Sequence, residues 1–280
     1  MSELYDGDDP HPSIAESTVT IIGVGLIGGS LGRALDGRCA RRIGVVRDGD
    51  ADTERTALAL EVVDEVLPFA EAVAAADIVV LCVPVGEILR LLPSVAAAAR
   101  PGTLVTDVGS TKRDVVHAMF AQRASGATFV GGHPMAGGTV HGLSAVDARL
   151  FDGARWVLCA TTEDPVEDTA VARAAALAEA MGADPIIVDA AEHDRALALV
   201  SHLPRVVASS LVDLLERRSP DEPLAGILAA RGWAGATRLA HGDDTMWADT
   251  LGSNRLELLE VIEELRTQLA DVAHRIEATA

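Results

Sequence analysis

The stretch from Thr18 to Gly28 has the sequence TVTIIGVGLIG. Its first five residues are β-branched and predict a buried strand, which ends at a glycine. Glycines then recur in the spacing G-x-G-x-x-G, in which they permit a tight turn, close approach of a pyrophosphate and close helix packing. The N-terminus of the helix that follows favours an anion. We therefore predict a Rossmann-type start, with the dinucleotide bound by Gly23, Gly25, Leu26, Ile27 and Gly28.

The rest of the chain divides by pattern into an α/β part and a helical part. Further strand-like runs occur at 43–46, 77–83, 103–107, 128–130, 156–160 and 185–188, and alanine-rich helical segments separate most of them. Such alternation predicts a parallel sheet with ligands at the carboxyl ends of its strands. After Asp189 only helical periodicity remains. We predict a flexible acidic tail at 1–17, a Rossmann-type dinucleotide-binding domain at 18–190 and an all-α substrate and dimerisation domain at 191–280.

The end of the second strand bears on the choice of cofactor. An acidic residue there binds the free ribose hydroxyl of NAD, whereas arginine suits the 2′-phosphate of NADP. The natural register places Val46 at that position with Arg47 beside it, which favours NADP; a shift of two residues would use Asp48 and favour NAD. NAD and NADP therefore both remain open. Val83, the last residue of the 77–83 run, and Pro84, which follows it, are predicted to line the nicotinamide side.

Composition excludes several classes of function. A net charge of −19 argues against nucleic acids and anionic membranes as partners. The sequence lacks a long uncharged apolar run and a secretory signal, so we expect no membrane span. Its three cysteines form neither a disulfide framework nor a zinc site, and we expect a cytoplasmic protein without a metal. An anionic substrate would need local positive charge, and Lys112 is the single lysine among 23 basic residues.

A histidine stands among glycines in the segment 131–138, directly after the 128–130 run. Its neutral ring could accept a proton at the carboxyl edge of the sheet, although a solvated turn would also explain the glycines. Ser110 follows another strand and could donate a hydrogen bond to a substrate hydroxyl or to His133; it could equally cap a helix. Lys112 could bind an anion or lie on the surface.

The helical part contains two features of its own. A long helical run over 194–216 is interrupted at Pro204, where we expect a kink or a break. The last segment, 254–278, carries an apolar seam at steps of three and four residues that suits packing on another helix. Core packing would explain it, but we favour a homodimer. The seam consists of Ile262, Leu265, Leu269, Val272 and Ile276.

Taken together, these motifs resemble the prephenate/arogenate dehydrogenase family of tyrosine biosynthesis. The resemblance implies NAD(P)-dependent oxidative decarboxylation of prephenate to 4-hydroxyphenylpyruvate, or of arogenate to tyrosine. It also implies that His133 is the general base, that Ser110 bonds the reacting hydroxyl, and that Arg238 binds the substrate carboxylate. The resemblance rests on the glycine motif with Gly29-Ser30, on 107–112 and 131–137, and on Glu192-His193-Asp194, Ser201-His202-Leu203-Pro204 and Thr245-Met246-Trp247.

The chain departs from this family at several positions that bear on substrate binding. Arg205 stands where relatives commonly have a histidine, and could be a second carboxylate anchor. The segment 137–142, which includes Gly138 and Thr139, lacks the charges that relatives carry, which leaves the preference for the substrate side chain open. We also count Lys112 and His202 among the substrate-binding candidates, although His202, like His193, could be a core or capping residue.

Two other functions remain as alternatives. A 3-hydroxyacid-type dehydrogenase shares the glycine-rich start and a helical second domain, but such enzymes use a catalytic lysine in the helical part. This chain has no lysine after Lys112. A non-catalytic dinucleotide-sensing protein would bind the cofactor without turnover.

Overall fold

The computed structural model describes residues 11–137, 142–160, 165–242 and 244–279. The chain divides into two compact units, Met1–Ala190 and Ala191–Ala280. Residues 1–10 of the predicted tail lie outside the described residues. Later residues of that tail are folded: Ile14–Glu16 form a 3-10 helix, Ile14 packs on the core and Ser17 is buried. The prediction of a flexible tail is therefore wrong for residues 14–17.

Over the described residues, unit 1 is an eight-stranded sheet with helices between its strands, in the order β3-β2-β1-β4-β5-β6-β7-β8. Strands β1 to β6 pair in parallel, β7 runs antiparallel to β6, and β8 is parallel to β7. The strands are β1 (Thr18–Ile22), β2 (Arg41–Val45), β3 (Glu65–Val66), β4 (Ile78–Leu81), β5 (Leu104–Asp107), β6 (Thr128–Pro134), β7 (Arg155–Ala160) and β8 (Asp184–Ile187). The helices are α1 (Leu26–Ala34), α2 (Ala51–Ala59), α3 (Phe69–Ala75), α4 (Val85–Ala98), α5 (Arg113–Ala121) and α6 (Pro165–Ala180). The predicted α/β alternation is confirmed; β3 is too short to show a periodic signal.

The sheet separates two apolar layers because successive side chains of a strand point to opposite faces. In β4, Ile78 and Val80 belong to one buried cluster, and Val79 and Leu81 to the other. All four side chains are fully buried. A strand covered on both faces has a continuous apolar sequence, as expected for a parallel sheet. Because β1, β4, β5 and β6 are successive neighbours in the sheet and run in parallel, their carboxyl ends lie side by side along one edge of it.

Unit 2 is helical throughout its described residues, which confirms the predicted all-α class. Its helices are α7 (Ala190–Leu197), α8 (Leu203–Arg218), α9 (Pro223–Leu228), α10 (Arg231–Thr237), α11 (Asp244–Ser253) and α12 (Arg255–Glu277). A π-helical turn, Ala198–His202, joins α7 to α8, and a 3-10 turn, Arg238–Ala240, follows α10. Pro204 lies at the start of α8 and cannot donate a backbone hydrogen bond. The expected irregularity is thus a π turn just before the proline.

The continuous helical run Ala190–Arg218 is long and apolar enough to cross a membrane on length and composition alone, a test that a core helix also passes. It nevertheless carries buried polar side chains with polar partners elsewhere in unit 2. His202 pairs with Asn254, and Arg205 pairs with Asp244. Lipid-facing helices rarely carry such groups, so this run is typical of a helix packed within a folded unit.

Candidate active site

The three glycines of the first turn have different surroundings. Gly23 has a φ of +95°, and a Cβ there would lie 2.5 Å from the carbonyl oxygen of Cys82. A Cβ on Gly28 would overlap the carbonyl oxygen of Gly23. Gly25 caps α1, and a Cβ there would meet no atom within 4 Å among the described residues. Gly23 and Gly28 thus serve the turn and the helix packing, while Gly25 leaves open space at a helix N-terminus, which fits a pyrophosphate.

The predicted ribose end lies beyond β2 and borders a cavity of about 300 Å³. Val46 follows the last residue of the strand, and Arg47 and Asp48 after it are exposed. Asp50 caps α2, and the Oγ1 and N–H groups of Thr53 donate to its carboxylate, which lowers the pKa of Asp50. The cavity is lined by residues 46–51, 54 and 66–69.

Val83 and Pro84 lie where β4 ends and α4 begins, with Pro84 as the cap of α4. Val83 lies against the glycine turn, since a Cβ on Gly23 would come 2.6 Å from Val83 Cγ1. This places Val83 beside the predicted dinucleotide turn; that Val83 and Pro84 line the nicotinamide stays a prediction. Burial, together with the charge of Asp107, raises the pKa of the neighbouring Cys82 thiol, so this cysteine remains protonated.

Asp107, the last residue of β5, forms a buried ion pair with Lys112. Both side chains have no exposed surface. The carboxylate also accepts hydrogen bonds from the backbone N–H groups of Gly109 (2.7 Å) and Gly132 (2.9 Å). The assignment of Lys112 to the substrate, or to the surface, is therefore wrong, because its ammonium is buried against Asp107. Lys112 is also the N-cap of α5, so Ser110 does not take the capping role.

His133 lies within strand β6 and is half-buried. The strand continues through Gly131 and Gly132 to Pro134, with His133 in register with Val157 of β7. The alternative of a solvated turn at this histidine is therefore wrong. Ser110 is also half-buried and follows β5, the parallel neighbour of β6, so the structure brings both residues to adjacent strand ends. Gly138 and Thr139 lie outside the described residues.

In unit 2, Arg205 and Arg238 are close in the fold but differ in exposure. Arg238 is exposed at the start of the 3-10 turn. Arg205 is 5 % exposed; its guanidinium donates to the carbonyl of Leu239 and, at 2.8 Å, to the carboxylate of Asp244. Arg205 thus binds the turn that carries Arg238. Its role as a second carboxylate anchor stays a prediction.

His202 belongs to a buried polar cluster in unit 2. Its Nδ1 lies 3.0 Å from Asn254 Nδ2, which also donates to the carbonyl of Asp194 at 2.7 Å. Burial lowers the pKa of His202 to about 4, so the ring is neutral at physiological pH. His202 is 1 % exposed and His193 is 2 % exposed. Both are core residues, and the substrate-binding assignment of His202 is wrong.

Comparison with known proteins agrees with the two-unit architecture. Residues 31–187 match the family model "Prephenate dehydrogenase, nucleotide-binding domain". Residues 189–280 match "Prephenate dehydrogenase, dimerization domain". The chain belongs to the prephenate dehydrogenase family. The expected family and fold class are therefore confirmed.

Individual members of the prephenate dehydrogenase family are similar over most of their length. The prephenate dehydrogenase of Lactococcus lactis is 34 % identical over 261 residues, 92 % of this chain and 71 % of that protein. The Synechocystis arogenate dehydrogenase structure is 30 % identical, with a TM-score of 0.77, over 94 % of this chain and 92 % of that one. The Aquifex aeolicus prephenate dehydrogenase, in complex with hydroxyphenyl propionate and NAD⁺, is 28 % identical, with a TM-score of 0.85, over 96 % and 93 %.

The rival dehydrogenase class shares only the fold with this family member. A 3-hydroxyisobutyrate dehydrogenase from Salmonella typhimurium is 16 % identical, with a TM-score of 0.58. As a member of the prephenate dehydrogenase family, the chain is an NAD(P)-dependent oxidoreductase.

Proposed function

We propose that this protein catalyses the oxidative decarboxylation of prephenate to 4-hydroxyphenylpyruvate, or of arogenate to tyrosine, in tyrosine biosynthesis. One observation carries the proposal: His133 and Ser110 lie at the ends of adjacent strands, in the unit whose glycine turn has no atom of the described residues within 4 Å of a Cβ on Gly25. A proton acceptor beside a dinucleotide site is what the oxidation of an alcohol requires.

The proposed roles follow the chemistry of the ring. When bound, the nicotinamide accepts a hydride from the carbon that carries the ring hydroxyl. His133 takes the hydroxyl proton onto an imidazole nitrogen as carbonyl character develops at that carbon. The ring carboxylate leaves as carbon dioxide, and its bonding electron pair completes the aromatic ring. His133 then returns the proton to the phenol oxygen, so the hydroxyl loses no proton overall.

Two further side chains are assigned to binding. Ser110 donates a hydrogen bond to the reacting hydroxyl and keeps it directed at the base. Arg238 pairs with a substrate carboxylate through its planar guanidinium, which suits two parallel hydrogen bonds. The proposal for Arg238 is supported by its exposure on a turn whose backbone is held by a buried arginine.

A crossed assay tests the function and separates it from its alternatives. Prephenate and arogenate are each combined with NAD and with NADP, and nicotinamide absorbance is followed. We expect turnover in at least one combination. Cofactor binding without turnover in all four would favour a dinucleotide sensor, whereas turnover of a 3-hydroxyacid in place of the cyclohexadienes would favour the other dehydrogenase class.

For the cofactor, we propose that NADP is preferred through Arg47. The proposal is supported by the exposed Arg47 beside the cavity and by Val46, whose side chain cannot bond a ribose hydroxyl. Arg47→Ala should raise the KM for NADP about tenfold relative to that for NAD, the scale of a lost charge-assisted hydrogen bond. The matched variant Asp48→Ala should leave the ratio unchanged. A selective loss of NAD in Asp48→Ala would instead assign the ribose to Asp48.

We also propose a homodimer that forms through the helices of unit 2. On α12, the seam residues Leu269, Val272 and Ile276 are 59 %, 39 % and 65 % exposed. Apolar side chains at this spacing are typical of a helix that packs on a partner. Light scattering should give twice the chain mass, and Leu269→Lys should shift it toward the monomer. A monomeric wild type would refute this proposal.

A cytoplasmic location is proposed on chemical grounds. Cys39, Cys82 and Cys159 form no disulfide among the described residues, which suits a reducing compartment. The partners we propose are a small-molecule substrate and a second copy of the chain, and the acidic balance disfavours nucleic acids.

A further inference from the structure

Asp107 stands out because a single buried carboxylate is bound to both candidate catalytic segments. Its Oδ2 accepts the N–H of Gly109, the residue before Ser110, at 2.7 Å. Its Oδ1 accepts the N–H of Gly132, the residue before His133, at 2.9 Å. The two oxygens thus connect the loop after β5 with the middle of β6 through main-chain donors.

The surroundings of Gly132 make this connection close. A Cβ on Gly132 would overlap the carbonyl oxygen of Asp107 and would lie 2.9 Å from Thr106 Oγ1. The glycine therefore lets β6 approach β5 at the point where the carboxylate reaches across. A shift of either segment would lengthen one of two hydrogen bonds to a charged acceptor, and such bonds are stronger than neutral ones.

The single lysine of the sequence explains how this carboxylate can be buried. An ionised carboxylate without exposed surface is unstable unless it is paired and hydrogen-bonded. Lys112 supplies the countercharge from the N-cap of α5, five residues along the chain, and is itself fully buried. Because the paired charges cancel, the arrangement adds no net charge beside His133.

We propose that Asp107 and Lys112 are positioning residues that hold Ser110 and His133 in register for the reaction. The inference rests on the proposed function, because it takes the catalytic roles of those two residues from it. Neither positioning residue is proposed to touch the substrate. Asp107 acts through the main chain of Gly109 and Gly132, and Lys112 holds the Asp107 carboxylate in place through the buried ion pair.

The decisive variant removes both charges at once. Asp107→Asn/Lys112→Met leaves no buried charge unpaired, and an asparagine offers one acceptor oxygen where the carboxylate offers two. We expect kcat to fall about 10- to 100-fold, the scale of a small misplacement of reacting groups. We expect the cofactor Kd to change less than about threefold. We also expect the pH profile of kcat/KM to keep its shape, because the net charge of the pair is unchanged.

A matched control exists in the same unit. Arg42, itself 7 % exposed, pairs with Asp64, which also accepts the backbone N–H of Arg42 at 2.7 Å. Arg42→Met/Asp64→Asn removes an ion pair between β2 and the residue before β3, in which the Asp64 side chain is 43 % exposed; it lies away from the two candidate segments and should retain wild-type kcat. Equal losses of kcat in both double variants would mean that the Asp107–Lys112 pair only stabilises the fold, and would overturn the inference.

A second background separates positioning from other effects. In His133→Asn the base is gone and only the positioning of Ser110 can still be lost, so adding Asp107→Asn/Lys112→Met should lower the residual turnover by less than it lowers wild-type turnover; a full additional loss would contradict the inference. If the double variant fails to fold, Asp107→Glu replaces it, since it keeps the ion pair but displaces both acceptor oxygens; wild-type kcat in it would likewise contradict the inference. Wild-type turnover in His133→Asn itself would refute the proposed function instead.

Discussion

Gly25 and Gly28 of the first turn are only three residues apart, but substitution by alanine should change a different property at each: cofactor affinity at Gly25 and stability at Gly28. Gly28→Ala places a methyl group into the carbonyl oxygen of Gly23, 3.0 Å from Ile21 Cγ2 and 3.1 Å from Cys82 Cβ. Gly25→Ala places it where, among the described residues, no atom lies within 4 Å. Gly28→Ala should therefore lower the stability of the fold, and Gly25→Ala should weaken the binding of the cofactor.

The magnitudes follow from these contacts. Overpacking a core costs roughly 1–3 kcal/mol, and a backbone obstacle favours the upper end. Because alanine gains about 1 kcal/mol of helix propensity over glycine, Gly28→Ala should lower the free energy of unfolding by about 2 kcal/mol. At Gly25 φ is −106°, outside the left-handed region that favours glycine, so alanine meets no left-handed strain there. A poorer helix cap and a stiffer unfolded chain nearly cancel there, so unfolding should change by less than about 1 kcal/mol.

The two assays are urea denaturation and equilibrium binding of NAD(P) by fluorescence. Gly25→Ala should bind the cofactor about 10- to 100-fold more weakly, equivalent to roughly 1.4–2.8 kcal/mol. Gly252→Ala, in α11 and also open among the described residues, controls for the general effect of the exchange. Wild-type cofactor affinity in Gly25→Ala would refute the assignment of that space to the pyrophosphate. Wild-type stability in Gly28→Ala would refute the claim that a Cβ at this position overlaps the carbonyl oxygen of Gly23.

Three further predictions concern individual side chains. His133→Asn should lower kcat about 10²- to 10⁴-fold with cofactor affinity unchanged, measured by steady-state kinetics and equilibrium binding; near-normal turnover would remove this residue from the mechanism. The pKa of His202, about 4 when folded, lies below the ordinary value of 6.5, so the unfolded chain binds a proton first as the pH falls. Stability should drop by about 3 kcal/mol from pH 6.5 to 4, and His202→Gln should flatten this part of the curve; an unchanged slope would contradict it. In Arg205→Lys, the ammonium lacks the planar guanidinium that donates to both the Leu239 carbonyl and the Asp244 carboxylate, so the turn that carries Arg238 should be held less well. The substrate KM should then rise about tenfold while the cofactor KM stays constant; equal changes in both would refute a selective effect on the turn.

The fold class was predictable because its signals are local. Strand β1 has the predicted bounds, Thr18–Ile22, since a β-branched run closed by a glycine needs no distant partner to be recognised. The glycine spacing likewise encodes a turn whose geometry depends on a few neighbouring residues. The helix after Asp189 and its irregularity near Pro204 were evident for the same reason.

The errors at the site concern burial and pairing between distant segments. Gly131 and Gly132 have low strand propensity, and pairing with β7 is what extends β6 through them. Arg205 and His202 have polar side chains that composition assigns to a surface, but their partners Leu239 and Asn254 are 34 and 52 residues away along the chain. The role of Asp107 was missed, although a lone lysine five residues later was a signal of it.

By itself, the sequence determined the α/β class, the dinucleotide turn, the helical second unit and the candidate base at His133. These features depend on periodicity and on the backbone freedom of glycine, both of which act over a few residues. Only the tertiary structure decided which polar and charged side chains pair with other groups of the same chain. Lys112, Arg205 and His202 were candidates for binding a substrate, and each is buried against a partner in this chain. The physical reason is that removing a charge or a ring nitrogen from water requires a nearby partner, and only the folded chain determines which groups are near.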